Sequence, residues 1–368
     1  MNPNHERMQK HFYLSSQLAQ TDDEQLSKLF DNSKQATSWG RHQVLEIAGN
    51  KLFVKRIPLT EIEAQNHFST QNLYNLPPYY HYGLGSVGLG VYRELIAHIK
   101  ASNWVLQGEI ESFPLLYHYR IMPFAGEREE IDMEQHQRYV AYWGGNEQVS
   151  QYMLDRANAR LEMVLFLEYI PHTLQPWLQE HPEQIEWVID ALHSTLDFLG
   201  RNGVIHFDAH LFNVLTDGKK VYLTDFGLVL DRSFSLSEDE LAFFDSHATY
   251  DYGHLLWNLM YPISEQLKAL PKQTQLELNE KYGLSKQSYF HARLAVLFEN
   301  IGELQNSGAI NVNEVYLAYL LSHQRILALL GKFYASLQSN PQKDTPFPDK
   351  ELRRLLDDNK IQKRLEQP

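Results

Sequence analysis

Residues 204–215 read VIHFDAHLFNVL, and residues 221–227 read VYLTDFG. The first stretch begins with a short apolar run and continues into a polar loop, whereas the second is a β-prone run that ends at Asp225. Asp217-Gly218, between the two stretches, is a dipeptide typical of two-residue β-hairpin turns. The sequence therefore predicts a loop, a hairpin, and a carboxylate at the end of the hairpin's second strand.

Three polar side chains in these stretches have the chemistry of a metal site. Because the hairpin folds the chain back, we expect Asp225 to lie close to Asp208 and Asn213. Two carboxylates and one amide oxygen are hard ligands, and Mg²⁺ in proteins is commonly bound by one or two carboxylates together with substrate phosphates. The pattern therefore favours a magnesium site that also receives phosphate groups.

The two stretches together resemble the catalytic loop and the metal-binding triplet of the protein kinase superfamily, including its aminoglycoside and choline kinase branches. His206-x-Asp208-x4-Asn213 matches the loop, and Asp225-Phe226-Gly227 matches the triplet. The resemblance implies an α+β chain with a bilobal protein kinase-like fold, a β-rich N-lobe and a helical C-lobe. It also implies ATP with Mg²⁺ or Mn²⁺, and phosphoryl transfer to a hydroxyl of a protein or small molecule. In that family Asp208 would orient the hydroxyl and take up its proton, while Asn213 and Asp225 would hold the metal.

Within the loop, the sequence departs from regulated protein kinases. Phe207 stands after His206, where those kinases usually have an Arg that pairs with a phosphorylated activation loop. His210 replaces the lysine common in Ser/Thr protein kinases and is similar to the small-molecule branch. We assign His206 and His210 to the catalytic group beside Asp208, with a hydrogen-bonded loop histidine as the alternative for His210.

The resemblance also calls for nucleotide-binding residues earlier in the chain. Lys55, at the end of the apolar run Phe53-Val54-Lys55, is the candidate for contacting the α- and β-phosphates. Its expected ion-pair partner is Glu94, with Glu61 and Glu63 as alternatives. Glu168 resembles the hinge whose backbone meets the edge of the adenine.

Glycines that could cradle phosphate appear in an unusual place. Ser38-Trp39-Gly40-Arg41 is a poor version of the expected loop between the first two strands. Gly83, Gly85 and Gly88 form a better pattern, which runs into a predicted helix from Val91 and could bind an anion through its backbone amides. A dinucleotide-binding fold is disfavoured because no strand leads into the pattern. The stretch is interpreted either as a displaced phosphate loop or as a hinge for the helix.

Other local patterns predict the following elements. We expect a β-hairpin over 43–57, a helix over 91–105, two helices broken at Gly144-Gly145, an amphipathic helix over 316–337, and a helix over 22–30 capped by Thr21. Asp251 opens a further helix, either tying down the catalytic-loop backbone or capping the helix. The predicted organisation is an N-terminal extension (1–34), an N-lobe (35–170) with a helical insertion near 127–160, a C-lobe (171–338), and a polar, partly disordered C-terminal tail (339–368).

Composition narrows the class of partner. The chain has 33 Lys and Arg against 46 Asp and Glu, a formal net charge of −13, so we expect no nucleic acid as a partner. It contains no cysteine, which excludes disulfides and thiolate metal sites. We find no signal-peptide pattern and no apolar run long enough for a membrane span, and we expect a soluble, cytoplasmic protein.

Three alternatives stay open at this stage. His206, Asp208 and His210 would share one face if the stretch were a strand, which would suit a zinc or iron site. The chain could also be a catalytically silent kinase-fold binding module, although the candidate lysine and both candidate carboxylates are present. Transfer of AMP on the same fold would use the same metal ligands.

Overall fold

The computed structural model describes residues 3–31, 41–124, 131–286 and 289–366. In this part of the chain helices predominate and the largest sheet is antiparallel, so the predicted α+β class is confirmed. The chain divides into two compact units. The first contains the described residues of 1–172 and 215–241, and the second contains those of 173–214 and 242–368.

Elements are numbered in chain order. The strands of the described residues are β1 (Arg41–Ile47), β2 (Asn50–Leu59), β3 (Leu116–Pro123), β4 (Leu161–Glu168), β5 (His172–Thr173), β6 (Val204–Ile205), β7 (Val214–Thr216), β8 (Val221–Leu223) and β9 (Leu230–Asp231). The helices are α1 (Pro3–Gln20), α2 (Asp23–Asp31), α3 (Glu61–Gln65), α4 (Val91–Leu106), α5 (Met133–Tyr142), α6 (Glu147–Ala157), α7 (Leu174–Glu180), α8 (Ile185–Arg201), α9 (Glu238–Asp245), α10 (Tyr250–Asn258), α11 (Tyr261–Ala269), α12 (Lys272–Lys281), α13 (Phe290–Glu299), α14 (Ile301–Asn306), α15 (Glu314–Ser322), α16 (Gln324–Ser339) and α17 (Asp349–Glu366). None of the helices in the described ranges combines the length and the apolar character needed to cross a bilayer.

A four-stranded antiparallel sheet in the order β1-β2-β4-β3 forms the centre of the first unit. β1 and β2 are the predicted hairpin, in which Ile47 pairs with Asn50. The helix predicted over 91–105 is α4, which packs on one face of the sheet. Each core side chain buried there contributes on the order of 1.5–3 kcal/mol. The shared core consists of Ile57, Leu59, Val91, Tyr92, Leu95, Leu116, Met163, Leu165 and Leu167.

Two N-terminal helices belong to the first unit. α2 was predicted, but Asp22 rather than Thr21 caps it, since the Asp22 carboxylate accepts the N–H of Gln25 at 2.8 Å. α1 was not predicted because its sequence is largely polar, yet its Leu14 and Leu18 are completely buried. The weak Gly pattern at 38–40 lies outside the described residues.

The insertion forms the two helices expected on either side of Gly144-Gly145, which have φ values of +75° and +71°. The buried Trp143 stacks on Tyr79 (centroids 6.2 Å apart) and meets Tyr80 edge-on (4.9 Å). α5 and α6 therefore brace the first unit through an aromatic cluster. Residues 125–130 of this region lie outside the described part.

The predicted single helix over 316–337 is wrong, because α15 ends at Ser322 and α16 begins at Gln324. His323 between them is buried and shares a hydrogen bond of 2.9 Å between its Nδ1 and the carbonyl of Tyr319. A continuous helix would give that carbonyl to the N–H of His323 instead. The side chain therefore competes with the backbone and breaks the helix.

The expected disorder of the C-terminal tail is not found over 349–366, which form α17. Leu352 and Leu355 of this helix are buried, as is Phe347 just before it. Asp349 also accepts the N–H of Thr249 at 2.7 Å. A few apolar residues within a strongly charged segment are enough to dock the helix on the second unit.

Candidate active site

The predicted site residues fall into two groups. Asp208, the histidines beside it and Asn213 belong to the second unit. Lys55, Glu94, Glu168, Asp225 and the glycine pattern belong to the first unit. The second unit thus carries the expected base, and the first carries the expected phosphate-binding lysine.

Asp208 is oriented by Asn213, the last residue of a 3₁₀ turn over Leu211–Asn213. The amide nitrogen of Asn213 donates to the Asp208 carboxylate at 2.8 Å and to the Asp208 carbonyl at 3.1 Å. Because the nitrogen is used in this way, the amide oxygen of Asn213 is the atom left to meet a cation. The Asp208 side chain retains 19% of its exposure, so its carboxylate is both oriented and accessible.

The two histidines flanking Asp208 hold the backbone of the loop. His206 is completely buried, and its Nδ1 accepts the N–H of Asp208 at 3.2 Å. Nδ1 of His210 accepts the N–H of Phe212 at 3.2 Å, and its Nε2 lies 3.5 Å from the Asp208 carboxylate. His210 therefore acts as a loop histidine and also presents a ring nitrogen to the expected base.

The geometry on which the zinc or iron alternative depended is not formed. That interpretation required a strand through His206, Asp208 and His210, whereas the chain is a loop there. Across the described ranges, no group of three or more His, Asp or Glu side chains is arranged to hold a metal ion. The alternation of side chains that suggested a cluster is lost because the backbone turns at Phe207, whose φ is +63°.

Asp251 holds the turn at Phe207. Its two carboxylate oxygens accept the N–H groups of His206 (2.7 Å) and Phe207 (2.8 Å). Burial, together with the nearby Asp208 charge, raises the pKa of Asp251 to about 7, although the two N–H donors act to lower it. Asp251 lies inside α10 and points to the loop, so the tie to the loop is confirmed, and it is not the N-cap, which is Thr249.

Replacing Asp251 with Asn should weaken this support. The amide has one acceptor oxygen, so one of the two N–H groups would face an NH₂ group and stay unpaired. A buried unpaired donor costs about 1–3 kcal/mol, and we expect that loss in urea unfolding together with reduced turnover. The exposed Asp357→Asn in the same unit is the control for the chemical change. Equal stability of the two variants would contradict this role.

In the first unit, Lys55 lies between two carboxylates. Its Nζ is 2.7 Å from the Glu94 carboxylate and 2.7 Å from the Asp225 carboxylate. The expected ion pair between Lys55 and Glu94 is therefore confirmed. Of the alternatives, Glu61 is exposed, and Glu63 is committed to capping, since it accepts the N–H groups of Thr60 and Val91.

Electrostatics favour the charged forms of Lys55 and Asp225 in this cluster. Burial lowers the pKa of Lys55, but Asp225 and Glu94 outweigh it and hold that pKa above its usual value. Burial raises the pKa of Asp225, yet the charge and hydrogen bond of Lys55 hold it well below its usual range. For Glu94 burial prevails, and its pKa is raised. Asp225 is thus an anion with the left-handed φ of +64°, a strained backbone state that clusters at functional sites.

One oxygen of Asp225 is available for a ligand. Oδ1 accepts from Lys55 at 2.7 Å and from the N–H of Gly227 at 3.3 Å. Oδ2 has no hydrogen bond to any residue in the described ranges. A carboxylate with one oxygen fixed and the other unengaged suits a hard cation such as Mg²⁺.

The hairpin before Asp225 has a longer turn than predicted. β7 ends at Thr216 and β8 begins at Val221, so four residues connect them instead of two. The Asp217 carboxylate accepts the N–H groups of Lys219 (2.9 Å) and Lys220 (2.8 Å). This side-chain turn replaces the tight turn that Asp217-Gly218 suggested.

The glycine pattern packs against the triplet Asp225-Phe226-Gly227. The N–H of Leu89 donates to the carbonyl of Gly227 at 3.1 Å, and a Cβ on Gly88 would lie 3.3 Å from the same oxygen. At the start of α4, the N–H of Val91 is already taken by the Glu63 carboxylate at 2.9 Å. The glycines therefore permit a close approach to Gly227, and an anion at this helix would have to do without the Val91 amide.

Gly88→Ala should consequently harm the site more than Gly85→Ala. Both glycines have left-handed φ values (+115° and +100°), so each change costs about 1–3 kcal/mol of backbone strain. Only at Gly88 does the new methyl meet Gly227, whereas nothing lies within 4 Å at Gly85. We expect Gly88→Ala alone to raise the nucleotide KM. Equal KM values for both variants would show that the contact with Gly227 does not matter.

α4 also holds the segment that follows the triplet. Arg93 forms an ion pair of 2.7 Å with Glu240, and the two side chains are only 1% and 2% exposed. Lys100, two turns further along α4, forms an ion pair with Asp231. Glu240 is itself tied to Ser237, whose N–H donates to its carboxylate at 3.0 Å. No local pattern in the sequence indicated these pairs, because the two members of each pair are distant along the chain.

Glu168 lies at the end of β4, and its side chain is engaged by the N-terminal helix. Arg7 Nη2 is 2.6 Å from its carboxylate, and the N–H of Leu115 donates to the same carboxylate at 3.1 Å. Its own N–H donates to the carbonyl of Leu115 at 2.8 Å. The N–H that the resemblance would offer to adenine is therefore already paired.

The site residues missed by the sequence analysis are Arg7, Arg93 and Glu240. Arg93 directly precedes Glu94, so it lies in the turn of α4 for which an ion pair was predicted, although Arg93 itself was not singled out. Nothing in the sequence distinguished Arg7 or Glu240 from ordinary surface charges.

Comparison with known proteins assigns no family, since no protein-family model matches the chain and no curated protein matches it.

Proposed function

We propose that this protein is an ATP-dependent phosphotransferase with a bilobal, protein kinase-like fold. The observation that carries the proposal is the position of Lys55 between Glu94 and Asp225, at 2.7 Å from each carboxylate. The cluster of Lys55, Glu94 and Asp225 carries no excess positive charge, so anionic phosphates would bind there together with a cation. A magnesium nucleotide brings both the phosphates and the cation, which supports the proposal.

Asn213 in the second unit and Asp225 in the first are the metal ligands that the resemblance implies. The amide oxygen of Asn213 and Oδ2 of Asp225 are the atoms of these two side chains that have no hydrogen bond to a described residue. When bound, the metal supplies positive charge to the oxygens of the transferring phosphate. Lys55 would contact the remaining phosphate oxygens, with Glu94 keeping its ammonium in place.

Asp208 is the proposed base. The acceptor hydroxyl gives its proton to the Asp208 carboxylate as its oxygen forms a bond to the γ-phosphorus. The bond from that phosphorus to the bridging oxygen breaks, and ADP leaves with the electron pair. Asn213 fixes the carboxylate by its 2.8 Å hydrogen bond, so the base needs little reorientation. Such a positioned base contributes about 10²–10⁴-fold to the rate.

The acceptor is a hydroxyl of a small molecule or of a protein. Phe207, where regulated protein kinases have Arg, is completely buried. Its ring stacks on Phe243 at 5.5 Å and contacts the Tyr250 ring in a tilted arrangement at 4.9 Å. An apolar side chain buried in this way cannot pair with a phosphorylated loop. This favours activity that does not depend on phosphorylation, which is typical of the small-molecule branch.

Incubation with γ-labelled and α-labelled ATP, each with Mg²⁺ or Mn²⁺, tests the proposal. We expect γ label to appear in added hydroxyl acceptors or in the protein itself, and to disappear in Asp208→Asn. Transfer of α label would identify AMP transfer instead. Nucleotide binding without any transfer, across a panel of sugar, choline and protein acceptors, would identify a silent binding module.

A further inference from the structure

Arg7 on α1 is unusually well engaged for a residue near the start of a chain. Its side chain retains 13% of its exposure and faces Glu168, whose side chain retains 11%. Nε lies 2.9 Å from both carboxylate oxygens, and Nη2 lies 2.6 Å from one of them. Two-point contact of this kind is the strongest and most directional ion pair available to a carboxylate.

The same guanidinium reaches a second segment of the first unit. Nη1 donates to the carbonyl of Glu111 at 3.0 Å, and Nη2 donates to the carbonyl of Phe113. The guanidinium carbon also lies 5.3 Å from the centre of the Tyr222 ring. Arg7 thus joins the end of β4 to residues 111–113 and to strand β8.

Strand β8 leads directly to the metal-binding triplet. The N–H of Leu223 donates to the carbonyl of Ser112 at 2.9 Å, between the two carbonyls that Arg7 holds. Asp225 follows two residues later, and the Phe226 ring lies 5.9 Å from the Phe113 ring. A shift of residues 111–113 would therefore move the strand that positions Asp225.

We propose that Arg7 is a positioning residue for the nucleotide site, through which α1 sets both the strand end at Glu168 and the approach to Asp225. The inference rests on the proposed function, because it assigns α1 to the nucleotide affinity of that same site. Arg7 touches none of Lys55, Glu94 or Asp225. Loss of Arg7 should therefore weaken nucleotide binding. Turnover at saturating ATP should stay within about twofold of the wild-type value, well below the tenfold change that corresponds to 1.4 kcal/mol.

The test compares variants that separate positioning from general stability. Arg7→Met alone leaves the Glu168 carboxylate buried without a counter-charge, so it is paired with Glu168→Gln in a double variant. Arg7→Lys, which keeps the charge but loses the forked contact, is the milder change. Arg120→Met is the matched control, because Arg120 anchors the same N-terminal helices through Asp23 (2.8 Å) and the Leu18 and Thr21 carbonyls without reaching Glu168.

Titration with a non-hydrolysable ATP analogue and Mg²⁺ gives the dissociation constant, and urea unfolding gives the stability of each variant. We expect Arg7→Met/Glu168→Gln to weaken binding about tenfold, Arg7→Lys to weaken it less, and Arg120→Met to leave it unchanged at similar stability. Unchanged binding in the double variant and in Arg7→Lys, or equal weakening in Arg120→Met, would overturn the inference while the proposed function stands. A wild-type protein that binds no analogue would overturn the proposed function itself, and the inference with it.

Discussion

Asp208→Asn is expected to lower phosphoryl transfer about 10²–10⁴-fold while the protein stays folded and still binds nucleotide. The amide that replaces the Asp208 carboxylate cannot take up the proton of the acceptor hydroxyl. Its oxygen can still accept the hydrogen bond that Asn213 now donates to the carboxylate at 2.8 Å. Loop geometry should therefore survive, and the loss should fall on kcat rather than on the nucleotide KM.

The companion variants divide the roles within the site. Asp225→Asn removes the charge beside Lys55 and the unengaged carboxylate oxygen, so metal-dependent nucleotide binding should be lost. Asp217→Asn makes the same chemical change in the hairpin turn and should remain active, because Asn can form the same side-chain turn. Initial rates with γ-labelled ATP and binding of the Mg²⁺ nucleotide measure these effects. Full turnover in Asp208→Asn would show that the assignment of the base is wrong.

Patterns of neighbouring residues predicted the local structure well. The hairpin of β1 and β2, helix α4 and the break at Gly144-Gly145 all depend on periodicity or on turn residues that lie within a few positions. The Lys55–Glu94 pair was also predicted, although its members are far apart. The resemblance carried by residues 206–213 and 225–227 implies a strand lysine and a helix glutamate. Few lysines and glutamates earlier in the chain lie in a predicted strand or helix, so the choice was narrow.

Contacts between distant segments left no such pattern. The break at His323 depends on a side chain that takes the Tyr319 carbonyl, a choice that no periodicity reveals. α17 is strongly charged, and it is ordered by two buried leucines and by the contact between Asp349 and Thr249. For Asp251, the local pattern indicated only a helix cap. The contact with the backbone of residues 206 and 207 was considered because the resemblance implies it. Burial, rather than residue type, decided each of these cases.

The ion pairs of α4 with the segment after Asp225, Arg93–Glu240 and Lys100–Asp231, could not be predicted for the same reason. Arg93 and Glu94 are adjacent in α4, and each forms an ion pair with a different part of the first unit. Glu94 holds Lys55, and Arg93 holds Glu240 in the segment after Asp225. Ion pairs within the first unit hold this segment. This agrees with the proposal that activity does not depend on phosphorylation, since the chain has Phe207 where regulated protein kinases have Arg.

Arg93→Met is accordingly expected to have the largest effect on stability, about 3–5 kcal/mol of the free energy of unfolding. It leaves the Glu240 carboxylate, now 2% exposed, buried without its counter-charge. Arg138→Met is the matched control, since Arg138 forms an ion pair with Glu134 on the surface, where both side chains are well exposed. Exposed pairs of this kind add little, so Arg138→Met should be nearly neutral in urea unfolding.

Adding Glu240→Gln to Arg93→Met should recover a large part of this loss. The amide oxygen of the introduced glutamine can still accept the N–H of Ser237, which keeps the start of α9 capped, and no buried charge remains. If α4 organises the segment after Asp225, the double variant will fold almost normally and yet transfer phosphate slowly. Recovery of both stability and turnover would mean that the pair only balances charge. No loss of stability in Arg93→Met would contradict the burial of the pair itself.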